Sequence, residues 1–326
     1  MELLARTLSA LSVGPPRRHG GLTMYPLLGG SAGDADYHTL DEALHAGTAR
    51  VTEVSESGNV PELRFENQGE WAVLLLDGEE LIGAKQNRVL NLSILAPAGK
   101  HLTIPVSCVE AGRWARTSAT FGAASHAQYA EVRAKKAASV SASMRSTDQH
   151  EVWQEISAKA ARMAAPSATS AMAAVFAGHS DTLGHFVEAL GPVEGQCGAL
   201  FTIQEQPVGV DLFDYQATLR TLLPKLVRSY ALDAIDAEQA GQPSPGGAPN
   251  PVRWLESIPE AEATVFPAVG EGEDVRLSGP RLSGGALVAR GRVVHLSAFR
   301  LTQEQRSEHV APRAGLMSRP SARAAR

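Results

Sequence analysis

Hydrophobic residues change their spacing twice along the chain. Between residues 22 and 109, short apolar runs alternate with turn residues, a pattern typical of β-strands. After residue 122 apolar side chains recur at helical spacing, as Trp153, Ile156, Ala160 and Met163 do, and beyond residue 250 strand-like runs return. The order of strands, helices and strands predicts an α+β fold, with a mainly antiparallel β-sheet or sandwich core and a helical insertion in the middle of the chain.

The first part of the chain carries the clearest strand and turn signals. Thr39 and Glu42 form the sequence pattern of a capping box, which predicts a short helix that stops at Gly47. Asp77-Gly78 is a two-residue hairpin signal, so the strands on either side of it are expected to pair antiparallel. The predicted strands are 22–28, 49–54, 61–67, 71–77, 79–83, 88–96 and 101–109.

Helices are predicted over 125–144, 148–163 and 185–190, and the strongest amphipathic pattern covers 214–236. Pro224 lies within that pattern, and it is tolerable if Thr221 caps the main helix, because first-turn N–H groups lack partners anyway. A strand and a turn are expected over 198–213. After a helix start at 251–257, further strands are expected at 263–268, 274–279, 286–291 and 293–299.

Composition indicates one internal loop or linker and the C-terminal end of the predicted domain. Residues 238–250 are rich in turn formers and are either a loop or a linker between sub-domains. The tail 302–326 has little apolar pattern and several arginines, so we predict that it is disordered. A single α+β domain over 1–301 is the resulting expectation.

Composition narrows the class of protein. The 326 residues are 44% hydrophobic and 20% charged, as in soluble globular proteins, and the net charge of −5 gives no reason to expect a nucleic-acid partner. Two cysteines without a CxxC motif provide neither a disulfide framework nor a cysteine-rich zinc site, and the histidines form no HxH or HExxH pattern. No apolar run approaches the roughly 20 residues that span a bilayer, and no signal peptide is evident. We therefore expect a cytoplasmic protein without a membrane association or a predicted metal site.

Candidate chemistry is concentrated in the segment DGEELIGAKQNRVLN, residues 77–91. Glu79 and Glu80 follow the turn and must point to opposite faces of a regular strand, so at most one of them can serve a given site. In the next strand Asn87, Asn91 and Ser93 share a face. That face is either simply solvated or a wall of amide groups suited to hydroxyls, phosphates or base edges.

A second polar segment is SCVEAGRW, residues 107–114. A lone cysteine can be a nucleophile, but Cys108 shares a face with Ile104 and Val106, which favours a buried core residue. Glu110 could act as an acid, as a base or as the partner of an arginine. Arg113 could bind phosphate or carboxylate, or form a structural ion pair.

The runs LLLDGEELIGAKQNRVLN and IPVSCVEAGRW resemble a bacterial and archaeal family named for its association with ADP-ribosylglycohydrolases and rhodanese-phosphatase superfamily proteins. The resemblance covers most of residues 20–300 and includes LTMYPL, TLDEAL, DQHEVW, GVDLF and VVHLSAF. It implies processing or recognition of ADP-ribose, NAD or a related nucleotide, and it specifies no reaction and no cofactor.

The matched positions supply the candidate site residues. Candidate acids for catalysis are Glu79, Glu80 and Glu110. Candidate ligand-binding residues are Lys85, Gln86, Asn87, Arg88, Asn91, Arg113 and Trp114, with cations for phosphate, amides for hydroxyls and Trp114 for stacking on a base. The hypotheses are an enzyme that processes such a substrate, a non-catalytic module that binds a nucleotide-like small molecule, and a partner-binding scaffold with a structural polar core.

Overall fold

The computed structural model describes residues 1–142, 149–241 and 250–302. The helices are α1 (Glu2–Ser9), α2 (Leu40–His45), α3 (Ala130–Ala142), α4 (Gln149–Arg162), α5 (Met172–Gly178), α6 (Ser180–Ala189), α7 (Gln216–Gln239) and α8 (Pro251–Glu256), with a 3₁₀ turn at Ile258–Glu260. No helix of these residues is long and apolar enough to cross a membrane.

The strands of the first half are β1 (Ser12–Val13), β2 (Arg17–His19), β3 (Leu22–Leu28), β4 (Tyr37–Thr39), β5 (Ala49–Glu53), β6 (Glu62–Asn67), β7 (Ala72–Leu75), β8 (Glu79–Gly83), β9 (Arg88–Leu90), β10 (Ile94–Ala96), β11 (His101–Cys108) and β12 (Phe121–Ala127). The later strands are β13 (Gln196–Ile203), β14 (Gln206–Phe213), β15 (Glu262–Pro267), β16 (Glu273–Gly279), β17 (Leu282–Ala289) and β18 (Arg292–Arg300). The predicted α+β class with large antiparallel sheets is confirmed.

Three sheets organise these strands. A nine-stranded antiparallel sheet has the order β1-β3-β13-β14-β18-β17-β16-β15, and β2 also pairs with β3. A six-stranded sheet has the order β12-β8-β9-β11-β6-β5, and a three-stranded sheet has the order β10-β7-β4. The six- and three-stranded sheets share a core around Leu63, Phe65, Leu75 and Ile104, so the two sheets pack face to face.

Helix α7 occupies the centre of the largest core. Its buried side chains, among them Leu222, Leu226 and Tyr230, share one apolar cluster with Phe201 of β13 and Phe299 of β18. A separate cluster on the other face of the nine-stranded sheet is covered by α1 and α8. Both faces of this sheet are therefore buried, which explains why the burial of β13 is continuous rather than alternating.

The capping box of α2 is present as predicted. Glu42 donates its backbone N–H to Thr39 Oγ1 at 3.4 Å, and the Thr39 backbone N–H donates to Glu42 Oε2 at 2.7 Å. These reciprocal bonds satisfy backbone groups that a helix start leaves unpaired.

The predicted Asp77-Gly78 hairpin is wrong. A turn is present, because the Glu79 N–H donates to the Leu76 carbonyl at 3.1 Å and Gly78 has φ of 83°. The strands on either side separate, however: β7 pairs with β10 and β4, whereas β8 pairs with β9 and β12. Both strands are buried, and each satisfies its backbone in a different sheet, which a local turn signal cannot reveal.

Two further predictions about elements need correction. Residues 125–127, predicted to start the helix over 125–144, instead end strand β12, which pairs with β8. Helix α7 begins at Gln216, so Pro224 lies in its interior and not in a first turn capped by Thr221. Leu219 and Leu222 are buried before the proline, and each contributes about 1.5–3 kcal/mol on burial, comparable to the roughly 3 kcal/mol cost of an interior proline. The single-domain prediction stays untested, and most of 238–250 and of the tail lies outside the described residues.

Candidate ligand-binding site

Strand pairing brings the two polar segments together. Strand β9 lies between β8 and β11, so Arg88 faces Leu81 on one side and Cys108 on the other. The backbone bond from Val109 N–H to the Asn87 carbonyl, at 3.1 Å, extends this pairing beyond the strand ends. Side chains from 79–91 and from 107–114 consequently meet at one end of the six-stranded sheet.

Glu110 is the most heavily bonded acid of the cluster. Arg113 contacts Glu110 Oε2 at 2.6 Å through Nη2, and the backbone N–H of Asn87 donates to the same oxygen at 3.1 Å. Thr169 donates its hydroxyl to Oε1 at 2.7 Å. Burial alone would raise the pKa of Glu110, but the bonds from Arg113 and Thr169 outweigh it and hold that pKa below its ordinary value. Glu110 is therefore an ionised and hydrogen-bonded carboxylate.

Glu80 continues the same network. Its Oε2 lies 2.7 Å from His126 Nε2, and Asn87 donates its amide to Oε1 at 3.2 Å. Arg113 in turn donates to the Asn87 amide oxygen at 3.1 Å. Glu80 and Glu110 are thus joined through Asn87 and Arg113, and His126 stacks on Phe176 with the ring centroids 3.6 Å apart.

Glu79 and Asn91 lie outside this cluster. Alternation along β8 predicts that Glu79 points to the opposite face from Glu80. On that face Glu79 pairs with Lys225 of α7. Burial raises the pKa of Glu79, against the attraction of Lys225. Asn91 accepts a hydrogen bond from Ser107 at 2.8 Å. Asn87 and Asn91 are both buried, so the solvated-face interpretation of this strand is wrong.

Arg88 is the unusual member of the cluster because its charge is buried without a carboxylate contact in the described part of the chain. The residue is 0% exposed, and its Nη1 donates to the Gln86 amide oxygen at 3.0 Å. Its Nε and Nη2 are buried and find no hydrogen-bond partner among the described residues. Burial lowers the pKa of Arg88, while Cys108 and Glu53 oppose that effect. Both donors are enclosed by protein, so an added acceptor reaches them only after a neighbouring side chain moves.

Trp114 forms the outer boundary of the cluster. The side chain is 48% exposed, and its ring centroid lies 5.6 Å from Arg88 Cζ and 5.4 Å from Lys85 Nζ. Lys85 Nζ also donates to the Ser57 carbonyl at 2.7 Å. An exposed indole between two cations is suited to stack on a flat ring carried by an anionic ligand.

Cys108 is a buried thiol beside this arginine. It is 0% exposed, as strand parity predicts, and its Sγ lies 3.1 Å from the Gln86 amide oxygen. Burial raises the pKa of Cys108, which keeps the side chain a neutral thiol and disfavours the nucleophile interpretation.

The sequence interpretation missed His126, Thr169 and Glu53. His126 was missed because its segment resembled a helix, and only the pairing of β12 with β8 brings it to Glu80. Thr169 and Glu53 carry no local signal, since they reach the cluster through loops and sheet pairing. No group of three or more His, Cys, Asp or Glu side chains in the described ranges is arranged to hold a metal ion.

Comparison with known proteins gives one match. Neither the curated proteins nor the solved structures include a match to the chain. The profile of one family matches residues 10–299, which contain both polar segments and all three sheets except the final residue of β18. The chain therefore belongs to the family described as the ARG and rhodanese-phosphatase-superfamily-associated protein domain.

Proposed function

We propose that this protein binds an anionic, nucleotide-derived ligand of the ADP-ribose class at the surface formed by Lys85, Arg88 and Trp114. The observation that carries the proposal is the buried Arg88 guanidinium, whose Nε and Nη2 have no partner within the described residues. Leaving a buried donor unsatisfied costs about 1–3 kcal/mol, and more for a charged group. A phosphate oxygen placed against these donors would remove that penalty.

Trp114 and Lys85 add recognition of the rest of the ligand. The half-exposed Trp114 ring lies 5.6 Å from Arg88 Cζ, and we infer that rotation of this side chain opens a path to the guanidinium. In the open position the indole stacks on an adenine-like ring, and Lys85 contributes a second positive charge near the phosphates. The family's association with ADP-ribosylglycohydrolases supports ADP-ribose or NAD as the source of this chemistry.

The acids of the cluster favour binding over catalysis. Glu110 is held ionised by Arg113 and Thr169, so it has no proton to donate, and Glu79 lies on the far side of its strand. These contacts position the loop that carries Arg113 and Trp114. The cluster therefore serves as a rigid support for the ligand-binding surface.

The binding proposal is tested by the ligand dependence of thermal unfolding. ADP-ribose, NAD, AMP and inorganic phosphate are titrated separately, and a ligand that binds only the folded state at 100 times its Kd stabilises it by about 2.7 kcal/mol. We expect ADP-ribose or NAD to raise the unfolding temperature more than phosphate alone does. The absence of any shift at millimolar concentrations would contradict the proposal and favour the partner-binding scaffold.

A matched pair of tryptophan variants locates the binding surface. Trp114→Ala should weaken binding by about 1–3 kcal/mol, the usual contribution of a base-stacking aromatic residue. Trp71→Ala is the control, because Trp71 is similarly exposed at 52% and lies outside the cluster. Equal effects of the two substitutions would place the ligand elsewhere.

An enzyme is the second candidate, supported by the Glu80–His126 contact of 2.7 Å. A carboxylate bonded to an imidazole can take up and return a proton during a reaction. Product analysis after incubation with ADP-ribose and NAD tests this alternative, with Glu80→Gln as the variant. Binding without any conversion by the parent protein would eliminate it.

A further inference from the structure

A cleft separate from the Arg88–Trp114 surface lies between the end of β9, the start of β10 and strands β16 to β18. Its lining includes Ser93, Arg276, Gly285 and His295, which come from distant parts of the chain. The cleft therefore exists only in the folded protein.

Three side chains form a hydrogen-bonded series at this cleft. Ser93 Oγ lies 2.8 Å from His295 Nδ1, and His295 Nε2 lies 3.3 Å from Asp211 Oδ1. Ser93 is partly exposed at the cleft, His295 is 1% exposed, and Asp211 is 0% exposed. Ser93 is thus the most exposed residue of the series, while the imidazole and the carboxylate are shielded from water.

Asp211 orients the imidazole of His295. Burial would raise the pKa of Asp211, but Arg133 and His295 outweigh it and hold that pKa well below its ordinary value. Arg133 donates to Asp211 at 2.7 Å, and the Tyr230 hydroxyl donates at 2.9 Å. Because an ionised carboxylate only accepts hydrogen bonds, Asp211 accepts the Nε2 proton, and in the neutral imidazole the lone pair on Nδ1 then faces Ser93.

The backbone directs the serine proton towards this lone pair. The N–H of Asp77 donates to Ser93 Oγ at 2.9 Å, so the oxygen already acts as an acceptor there. The Ser93 O–H then donates to His295 Nδ1. His295 also stacks on Phe213, with ring centroids 4.7 Å apart, which limits rotation of the imidazole. A hydroxyl, a base and an orienting carboxylate are the components of an activated nucleophile.

We propose that Ser93 is a nucleophile, with His295 as its general base and Asp211 as the positioning residue, and that the cleft hydrolyses small carboxylic esters. Ser93 Oγ forms a bond to the ester carbonyl carbon while its proton passes to His295 Nδ1. The bond from carbon to the leaving alcohol oxygen then breaks, and that oxygen takes the proton from His295. Water, deprotonated by His295, attacks the acyl-serine and releases the carboxylic acid, and the proton returns to Ser93.

One feature of the cleft bears on this reaction. Arg276 lines the cleft together with Ser93 and contacts the Asp274 carboxylate at 3.1 Å, so it supplies a partly neutralised positive charge near a developing oxyanion. The proposal goes beyond ligand binding at Arg88 and Trp114, and none of the three residues belongs to that surface.

The experiment uses a fluorophosphonate probe and p-nitrophenyl acetate on the full chain. We expect mass spectrometry to find the phosphonyl adduct on Ser93, and we expect Ser93→Ala to lower the p-nitrophenyl acetate rate at least about 100-fold. His295→Gln should slow labelling by a similar factor, and Ser93→Cys should retain the ability to be acylated. In Asp211→Glu the pH midpoint of the labelling rate should shift, which a merely structural role would not cause.

Ser257→Ala is the control, because its hydroxyl is also partly buried and hydrogen-bonded, to the Trp254 carbonyl at 2.7 Å, but lies outside the cleft. Circular dichroism and urea unfolding confirm that each variant is folded. An adduct on another serine, no adduct at all, or an unchanged rate in folded Ser93→Ala would overturn the proposal. Loss of ADP-ribose binding in Trp114→Ala with unchanged labelling of Ser93 keeps the two proposals distinguishable.

Discussion

The Arg88 guanidinium lies beneath the Trp114 ring, with Cζ 5.6 Å from the ring centroid. The arginine is fully buried while the tryptophan is about half exposed. This arrangement places a partly unsatisfied charge directly behind a side chain that solvent can reach. It leads to a prediction in which stability and binding change in opposite directions.

Arg88→Met should abolish binding of ADP-ribose and leave the free energy of unfolding unchanged or raised. Replacing a buried charged group by an apolar one of similar size is often neutral or stabilising, by about 1–4 kcal/mol. Urea unfolding and calorimetric titration with ADP-ribose measure the two effects. The control is Arg64→Met, since the Arg64 side chain is 49% exposed and its loss should change stability by less than about 0.5 kcal/mol. Strong destabilisation of Arg88→Met would mean that the charge is structural.

Glu110→Gln should make the protein less stable at neutral pH and less sensitive to acid. The bonds from Arg113 and Thr169 hold the folded-state pKa of Glu110 below its unfolded value, so its contribution is present above that value and lost as the pH falls below it. Removing a hydrogen bond to a charged group costs about 1.5–3 kcal/mol. Urea unfolding between pH 3 and pH 7 gives the slope of the unfolding free energy against pH. This slope should be shallower in Glu110→Gln than in the parent protein. Glu56→Gln, at an exposed position, is the control, and an equal slope in parent and Glu110→Gln would contradict the assignment.

Lys225→Met should destabilise the protein by about 3–5 kcal/mol at neutral pH, since it leaves the buried Glu79 charge without its cation. Burial already raises the pKa of Glu79 above its unfolded value, so the folded state gains a proton as the pH falls. The loss of stability caused by Lys225→Met should therefore be larger at pH 8 than at pH 5. Adding Glu79→Gln to Lys225→Met should recover part of the stability, and no recovery would show that Lys225 acts mainly through Asp41, 2.7 Å away.

Gly270→Ala should destabilise the protein by about 1–3 kcal/mol, the usual cost of forcing extra volume into a packed site. A Cβ at Gly270 would lie 2.1 Å from the Leu95 carbonyl oxygen, which also accepts the Glu271 N–H at 2.8 Å. The substitution thus separates the β15–β16 connection from β10. Gly122→Ala is the matched control, because nothing lies within 4 Å of its Cβ position. Equal unfolding midpoints in urea would show that the two segments do not pack as described.

The local sequence pattern was sufficient to predict an element wherever that element depends on interactions between neighbouring residues. Strand β3 and the capping box of α2 are present at the predicted residues, because a short apolar run and side-chain capping depend only on a few neighbouring residues. Alternation also correctly predicted that Glu79 and Glu80 point to opposite faces and that Cys108 is buried.

Only the tertiary structure decided which strands became neighbours. The Asp77-Gly78 turn is local, but β7 and β8 enter different sheets: β7 pairs with β4 and β10, and β8 pairs with β9 and β12. The contacts of Glu80 with His126, of Glu110 with Thr169 and of Ser93 with His295 span 46, 59 and 202 residues. The sequence by itself determined which chemical groups are available and which face of a strand they occupy. Long-range packing determined which groups meet. The reason is that side chains from distant segments are buried together, and the local sequence of one segment does not indicate its partners.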